Sequence, residues 1–305
     1  MGNMHTEAYL KNLSLLYAYQ PGKPPISSDF MRLHKVSDKV YANWDGETGG
    51  NVGIIELPEH ALVVDAQYPG SAKQFREAIP RATDKPLTHL LLTHVHGDHV
   101  FGNMVFKDLE IISHKRLYEK METNLKNEWA PGNLEKMLET YKRDAPERWW
   151  LFEGLEIVLP TTTFKDSWTL EGVEFIHMPG HTDCSSVVYI PDDKVLFAGD
   201  LLFVNRFPWA GDPSANPDQW IESFQRMLEM DIEKIVPGHG PLCDLEEVEK
   251  QLEWMKELRW IMKGLIEDGA SEEKVINYQY RELYPTDRPE WQKRSYSRWY
   301  KVWKS

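Results

Sequence analysis

A chain of 305 residues, 41% hydrophobic and 27% charged, has the composition of a protein that buries a core, and its length leaves one large domain or two small ones open. Its formal net charge of −13 repels polyanions and argues against nucleic-acid binding, although bound metal ions would carry their own local positive charge. No run of about 18 apolar residues suggests a membrane span, residues 1–11 lack the basic-then-apolar pattern of a secretory leader, and two cysteines, Cys184 and Cys243, are too few for a disulfide framework and suit a reducing cytoplasm.

The first elements read as strands. Residues 52–57 and 61–65 are apolar runs rich in Val and Ile, parted by Pro58-Glu59-His60 in a hairpin pattern. A helix is predicted over 71–79 and a strand over 87–93. From 115 to 148, Leu117, Met121, Leu125, Leu134, Met137, Leu138 and Tyr141 fall at helical spacing, which predicts two helices broken at Ala130-Pro131-Gly132. A strand follows at 155–159. Glu171-Gly172 joins strands 167–170 and 173–177, and Pro191-Asp192-Asp193 joins 187–190 and 195–198.

Residues 217–230 read as a helix capped by Asn216, and 234–236 as a short strand. From Asp244 the pattern is helical, interrupted at Gly269-Ala270-Ser271 and between Pro285 and Pro289. Two batches of strands and helices, then a helical tail, favour a mixed pair of sheets covered by helices over a doubly wound parallel sheet. The expected organisation is a domain over 1–243, with a helical cover at 115–148, and a helical extension over 244–305 packed on the same domain.

The densest chemistry lies in Thr93-His94-Val95-His96-Gly97-Asp98-His99, directly after Leu90-Leu91-Leu92. In an extended segment residues two apart face one side, so His94 and His96 project together. Gly97 permits a sharp turn that brings Asp98 and His99 back toward the same point. Three imidazoles and a carboxylate within six residues exceed what packing would need. Three later positions resemble one another: Gly180-His181, Gly199-Asp200 and Gly238-His239 each sit at or just past the end of an apolar run, where loops at a sheet edge build sites.

At these seven positions the sequence resembles the metallo-β-lactamase superfamily, whose hallmark is HxHxDH followed by separate His, Asp and His ligands; the match runs from about Val52 to Gly240. The resemblance implies a four-layer αββα sandwich of mixed α/β class with metals at one edge. It implies a first site of His94, His96 and His181, a second of Asp98, His99 and His239, and Asp200 bridging both. Imidazole and carboxylate ligands suit zinc, and also iron, manganese or cobalt; two Zn2+ ions are the first choice. The expected activity is attack by a metal-bridged hydroxide on an ester, thioester, lactone or lactam carbonyl of a small-molecule substrate, with Asp98 and Asp200 as the catalytic carboxylates.

Within the superfamily, Asp200 stands where the best-known β-lactamases carry a cysteine, which leaves β-lactam cleavage as a side reaction. Gly180-His181-Thr182 and Asp200 are similar to the glyoxalase II and lactonase branch, although Val100-Phe101 replaces that branch's small pair after HxHxDH. An acidic chain fits the ribonuclease Z relatives poorly, and His96 stands where flavodiiron proteins carry glutamate. The alternative is a mononuclear-iron oxidoreductase similar to the persulfide dioxygenases.

Around the cluster, Tyr118, Met121 and Trp129 of the cover are candidate pocket residues, with helix packing as the other reading. Asn205 and Arg206 are candidates for contact with an anionic substrate, or are solvated. His5, His34, His60, His89, His114 and His177 read as structural, with His114 the one to buttress a ligand. Cys184 and Cys243 read as unreactive thiols, and the charges of 246–256 as a solvated helix face. Trp291, Tyr296, Trp299, Tyr300 and Trp303 form an apolar stripe for the chain's own core or for a homo-oligomer.

Overall fold

A computed structural model describes residues 31–44, 48–286 and 288–305; His5 and the segment 1–11 lie outside them. A seven-stranded sheet runs in the order β1 (His34–Lys35), β2 (Val40–Asn43), β3 (Val52–Glu56), β4 (Ala61–Val64), β5 (Leu87–Leu92), β6 (Glu110–His114) and β7 (Thr162–Phe164). Its first three pairings are antiparallel and its last three parallel. A five-stranded sheet contains β8 (Ser167–Leu170), β9 (Val173–His177), β10 (Ser186–Ile190), β11 (Val195–Phe203) and β12 (Lys234–His239), with only β11 and β12 parallel.

The apolar runs lack polar alternation because both faces of each strand are buried. Along β4 and β5, Leu62, Val64 and Leu91 point between the sheets, where they meet Phe175, Val188, Phe197 and Val236. Val63, Leu90 and Leu92 point outward, onto Phe75 of helix α1 (Pro69–Ala78) and the helical cover. In the second sheet Leu196, Ala198 and Ile235 also point outward, onto helices that follow β11. The result is the expected αββα layering. Each fully buried Leu, Ile or Phe contributes about 1.5–3 kcal/mol to it.

Helix α2 (Gly97–Val100) is a single turn. The cover comprises α3 (Lys115–Lys126) and α4 (Pro131–Asp144), with Pro131 in the first turn of α4, where a missing N–H costs nothing. Met121 and Trp129 are buried in the core rather than facing a pocket. Helix α5 (Pro217–Leu228) is capped by Asn216, whose Oδ1 accepts from Asp218 N and Gln219 N. The tail holds α6 (Leu245–Glu267), α7 (Glu272–Ile276) and α8 (Pro289–Lys304). Trp254, Tyr296, Trp299, Tyr300 and Trp303 share one buried cluster with Trp220 and Leu201.

One expected strand changes. The strand expected at 155–159 does not form; the ladder begins at β7. That segment is tied by side chains instead: Leu155, Ile157 and Leu159 pack on the outer core, and Val158 O accepts from Asn103 Nδ2. Strands β1 and β2, absent from the sequence reading, add an edge too short to leave a pattern. The turn between β8 and β9 is as expected: Glu171 and Gly172 both have positive φ (46° and 86°), which matches the strand twist.

Candidate metal centre

The ligand-bearing segments meet where strands end. Strand β5 stops at Leu92 and hands the chain to Thr93–His99; β9 stops at His177, four residues before His181; β12 ends on His239. Asp200 lies within β11, beside a bulge at Gly199 (φ 51°) that breaks the register with β12. Asn51 fastens the edge: its Nδ2 donates to Pro237 O and Gly240 O, and its N–H to Gly238 O.

All seven predicted residues converge, in two groups that share Asp200. In the first, His96 Nδ1 is 3.1 Å from His94 Nε2 and 2.9 Å from His181 Nε2, while Asp200 Oδ2 is 3.6 Å and 3.4 Å from the same two nitrogens. In the second, His239 Nε2 is 3.2 Å from Asp98 Oδ2, and Asp200 Oδ1 is 3.1 Å from His99 Nε2 and 3.5 Å from His239 Nε2. Tetrahedral ligation at 2.0–2.1 Å would set donor atoms about 3.3 Å apart.

Hydrogen bonds on the far side of the rings fix which nitrogen faces inward. His181 Nδ1 lies 2.9 Å from Trp209 O, which only accepts, so Nδ1 carries the proton and Nε2 keeps its lone pair. His99 Nδ1 likewise meets Asp65 Oδ2 at 2.8 Å, and His96 Nε2 meets Asp212 Oδ2 at 3.2 Å. Thr93 Oγ1 donates to Asp65 Oδ2 at 2.7 Å and can therefore accept from His94 Nδ1 at 3.1 Å. Four lone pairs are thus turned toward the two centres.

Electrostatics agree. Burial pulls the His181 imidazole down to about 3 and holds His94 well below its usual value, so both are neutral. Burial acts the same way on His99, but Asp200, Asp65 and Asp98 outweigh it and raise that ring, so its Nε2 lone pair becomes available as a bound cation displaces the proton held there. Burial would raise Asp200; His239, His99 and His94 overcome it and keep the carboxyl ionised. His99 Nε2 and Asp200 Oδ1 are buried with no hydrogen-bond partner among the described residues although only 3.1 Å apart. Such orphans cost about 1–3 kcal/mol each, and a cation between them would satisfy both. The donor set fits a pair of divalent ions. The backbone is shaped to it: a methyl group on Gly50 would overlap the His99 ring, and one on Gly238 would overlap Asp200 Oδ1.

A family model for the metallo-beta-lactamase superfamily matches residues 45–239. The chain belongs to the metallo-beta-lactamase superfamily. A 133-residue stretch is 29% identical to a linear primary-alkylsulfatase of Pseudomonas sp. (strain ATCC 19151), covering 38% of this chain and 25% of that protein. Another 78 residues are 33% identical to acyl-coenzyme A thioesterase MBLAC2 of Gallus gallus, covering 24% and 27%. The chain therefore spans about a quarter of the length of either relative. Among solved structures, DIM-1 metallo-beta-lactamase superposes with a TM-score of 0.56 at 18% identity, over 74% of this chain and 96% of that one. The enzyme from Pontibacter korlensis gives 0.57 at 19%, over 74% and 98%. At these identities the likeness is one of fold.

Three residues that touch the superfamily site escaped the sequence reading. Asp65 follows β4 with positive φ (57°), and an acid at a strand end was its one signal. Trp209 and Asp212 belong to the loop after β11. That loop was singled out for Asn205 and Arg206, yet both of those are exposed. Asp212 also receives Ser214 N (2.7 Å), and its Oδ1 is 3.5 Å from Nζ of Lys120, so α3 reaches the site through a charge. His114 does not buttress a ligand: it stacks on His177 at 3.8 Å and accepts from Arg116 N at the start of α3. The Cys184 thiol, fully buried, is pushed up to about 11 and is inert, as expected.

Proposed function

We propose that the chain is a dinuclear zinc hydrolase of ester, thioester, lactone or lactam bonds in small molecules. The observation that carries this reading is the convergence of four oriented imidazole lone pairs on two centres sharing Asp200. The thioesterase and alkylsulfatase relatives, both named for cleaving ester-type bonds, support the reaction class. Residues 1–243 serve as the catalytic domain and 244–305 as an extension of it, and a reducing cytoplasm is the proposed compartment.

In this reading His94, His96 and His181 hold the first ion, Asp98, His99 and His239 the second, and Asp200 both. Two bound zinc ions supply Lewis acidity and a water acidified to a pKa of about 7. The chain's own residues do the rest. Asp200, kept ionised, spaces the two centres. The Asp98 side chain is 12% exposed and sits beside His239, so it can orient the attacking water and take its proton. Asp65 and Asp212 lock ring tautomers and prevent the histidines from turning away.

Elemental analysis of protein purified without chelator should give two zinc ions per chain, with esterase and lactonase activity that disappears in His96→Ala. One iron per chain and no hydrolysis would reject the proposal in favour of oxygen chemistry. Asp212→Asn is expected to weaken metal binding roughly 10- to 100-fold, because an amide holds the His96 tautomer less firmly. Competition with a chromophoric chelator reads that change, and an unaltered affinity would remove Asp212 from the account.

A further inference from the structure

The ligands differ in how open they are, and the difference locates the mouth of the site. Side chains of His94, His99 and His181 are 0–1% exposed and Asp200 is 5% exposed, whereas His96 is 19% and Asp98 and His239 are each 12% exposed. Substrate therefore approaches on the side of His96, Asp98 and His239.

Beside His96 on that side stands Trp209, its ring 5.2 Å from the imidazole at a steep 66°. Trp291 of α8 lies 6.2 Å from Trp209, and the Arg288 guanidinium covers the Trp291 ring at 4.4 Å. Trp209 and Trp291 are only half buried, unlike Trp220, Trp254 and Trp299 in the core beneath them. The loop and the helix are joined: Ala210 N donates to buried Ser295 Oγ at 2.9 Å, and Arg298 Nε to Ala215 O at 2.8 Å. The family match ends at residue 239, fifty residues before α8 begins at Pro289. Helix α8 is thus an element of this chain set against a site common to the superfamily.

We propose that Trp209 and Trp291 form an apolar wall at the mouth that selects substrates carrying a hydrocarbon chain or ring next to the scissile bond. The C-terminal helix is then a specificity element as well as a packing one. Two indoles side by side, tilted 56° to one another, present an angled apolar surface with little side-chain entropy to lose. The wall starts at His96, so a group bound on it lies beside the reacting bond rather than at a remote end of the substrate. The inference rests on the hydrolase reading for its substrate, and not for the wall itself.

The test uses carboxylates, which resemble the acid product and need no turnover. Isothermal titration of the metal-loaded protein with octanoate and with acetate should show octanoate binding at least ~30-fold tighter, since several methylenes leave water. Trp291→Ala should cut that ratio about tenfold, and Trp291→Phe should restore most of it. No preference in the parent protein, or the same preference in Trp291→Ala at unchanged metal content, would overturn the wall. Metal content and hydrolysis, measured on the same samples, report separately on the hydrolase reading. Octanoate preference that depends on Trp291 in a protein without hydrolytic activity would sink that reading and leave the wall standing.

Discussion

Asp200→Ala is expected to lower kcat/KM at least ~10³-fold, equivalent to about 4 kcal/mol of transition-state stabilisation, and to leave less than one metal ion per chain. The carboxylate is 5% exposed and stands within 3.6 Å of all four inward nitrogens of His94, His181, His99 and His239. It is the one group present in both sets of donors. Its loss also removes the largest influence raising the His99 imidazole, so that ring, buried and facing Asp65 and Asp98, reverts toward neutrality. A smaller side chain opens a gap between β11 and the β5 terminus without offering another acceptor. Steady-state kinetics with metal analysis on one preparation checks this. Near-normal activity at two ions per chain would show that the six remaining residues suffice.

Trp299→Ala is expected to destabilise the protein by about 3–5 kcal/mol, the usual range for emptying a fully buried tryptophan site. Trp299 is 0% exposed, and its ring lies 5.8 Å from Trp254 and 6.5 Å from Trp220. Trp220 in turn meets His181 edge-on at 5.5 Å, so the cavity opens behind the tryptophan that backs a residue of the candidate metal centre. Against a typical total of about 5–15 kcal/mol, the loss is about a fifth or more of the margin. A lower denaturation midpoint at unchanged slope is the expected reading. Trp260→Ala is the control: that side chain is 78% exposed on α6 and should shift stability by no more than about 0.5 kcal/mol. If both variants behaved alike, the tail would not be part of the cooperative core.

The candidate metal centre was legible in the sequence because four of its residues share one strand end, where alternation turns His94 and His96 one way and Gly97 lets Asp98 and His99 turn back toward them. His181, Asp200 and His239 were legible because each lies beside glycine near a strand end, although Asp200, expected to end its strand, lies inside β11. The layered fold was legible for a related reason: strands buried on both faces read as continuous Val, Ile and Leu. Trp209 and Asp212 could not be read in this way. Their positions depend on Ser295 gripping Ala210 from 85 residues away and on Lys120 reaching across from α3, and no local pattern encodes such meetings. Residues 155–159 misled for the opposite reason. They carry the composition of a strand, yet their apolar side chains pack on a core while their backbone finds no ladder.

Asp65 touches neither set of inward-facing donors, yet it serves both. One oxygen accepts from the His99 ring and from Thr93 Oγ1, and through that hydroxyl it governs His94. Two ions bound here would share Asp200 directly and Asp65 at one remove, so their affinities are linked quantities. Whatever factor the first ion applies to the binding of the second, the second applies to the first. Loading is then a property of the pair, described by two macroscopic constants that belong to neither centre alone.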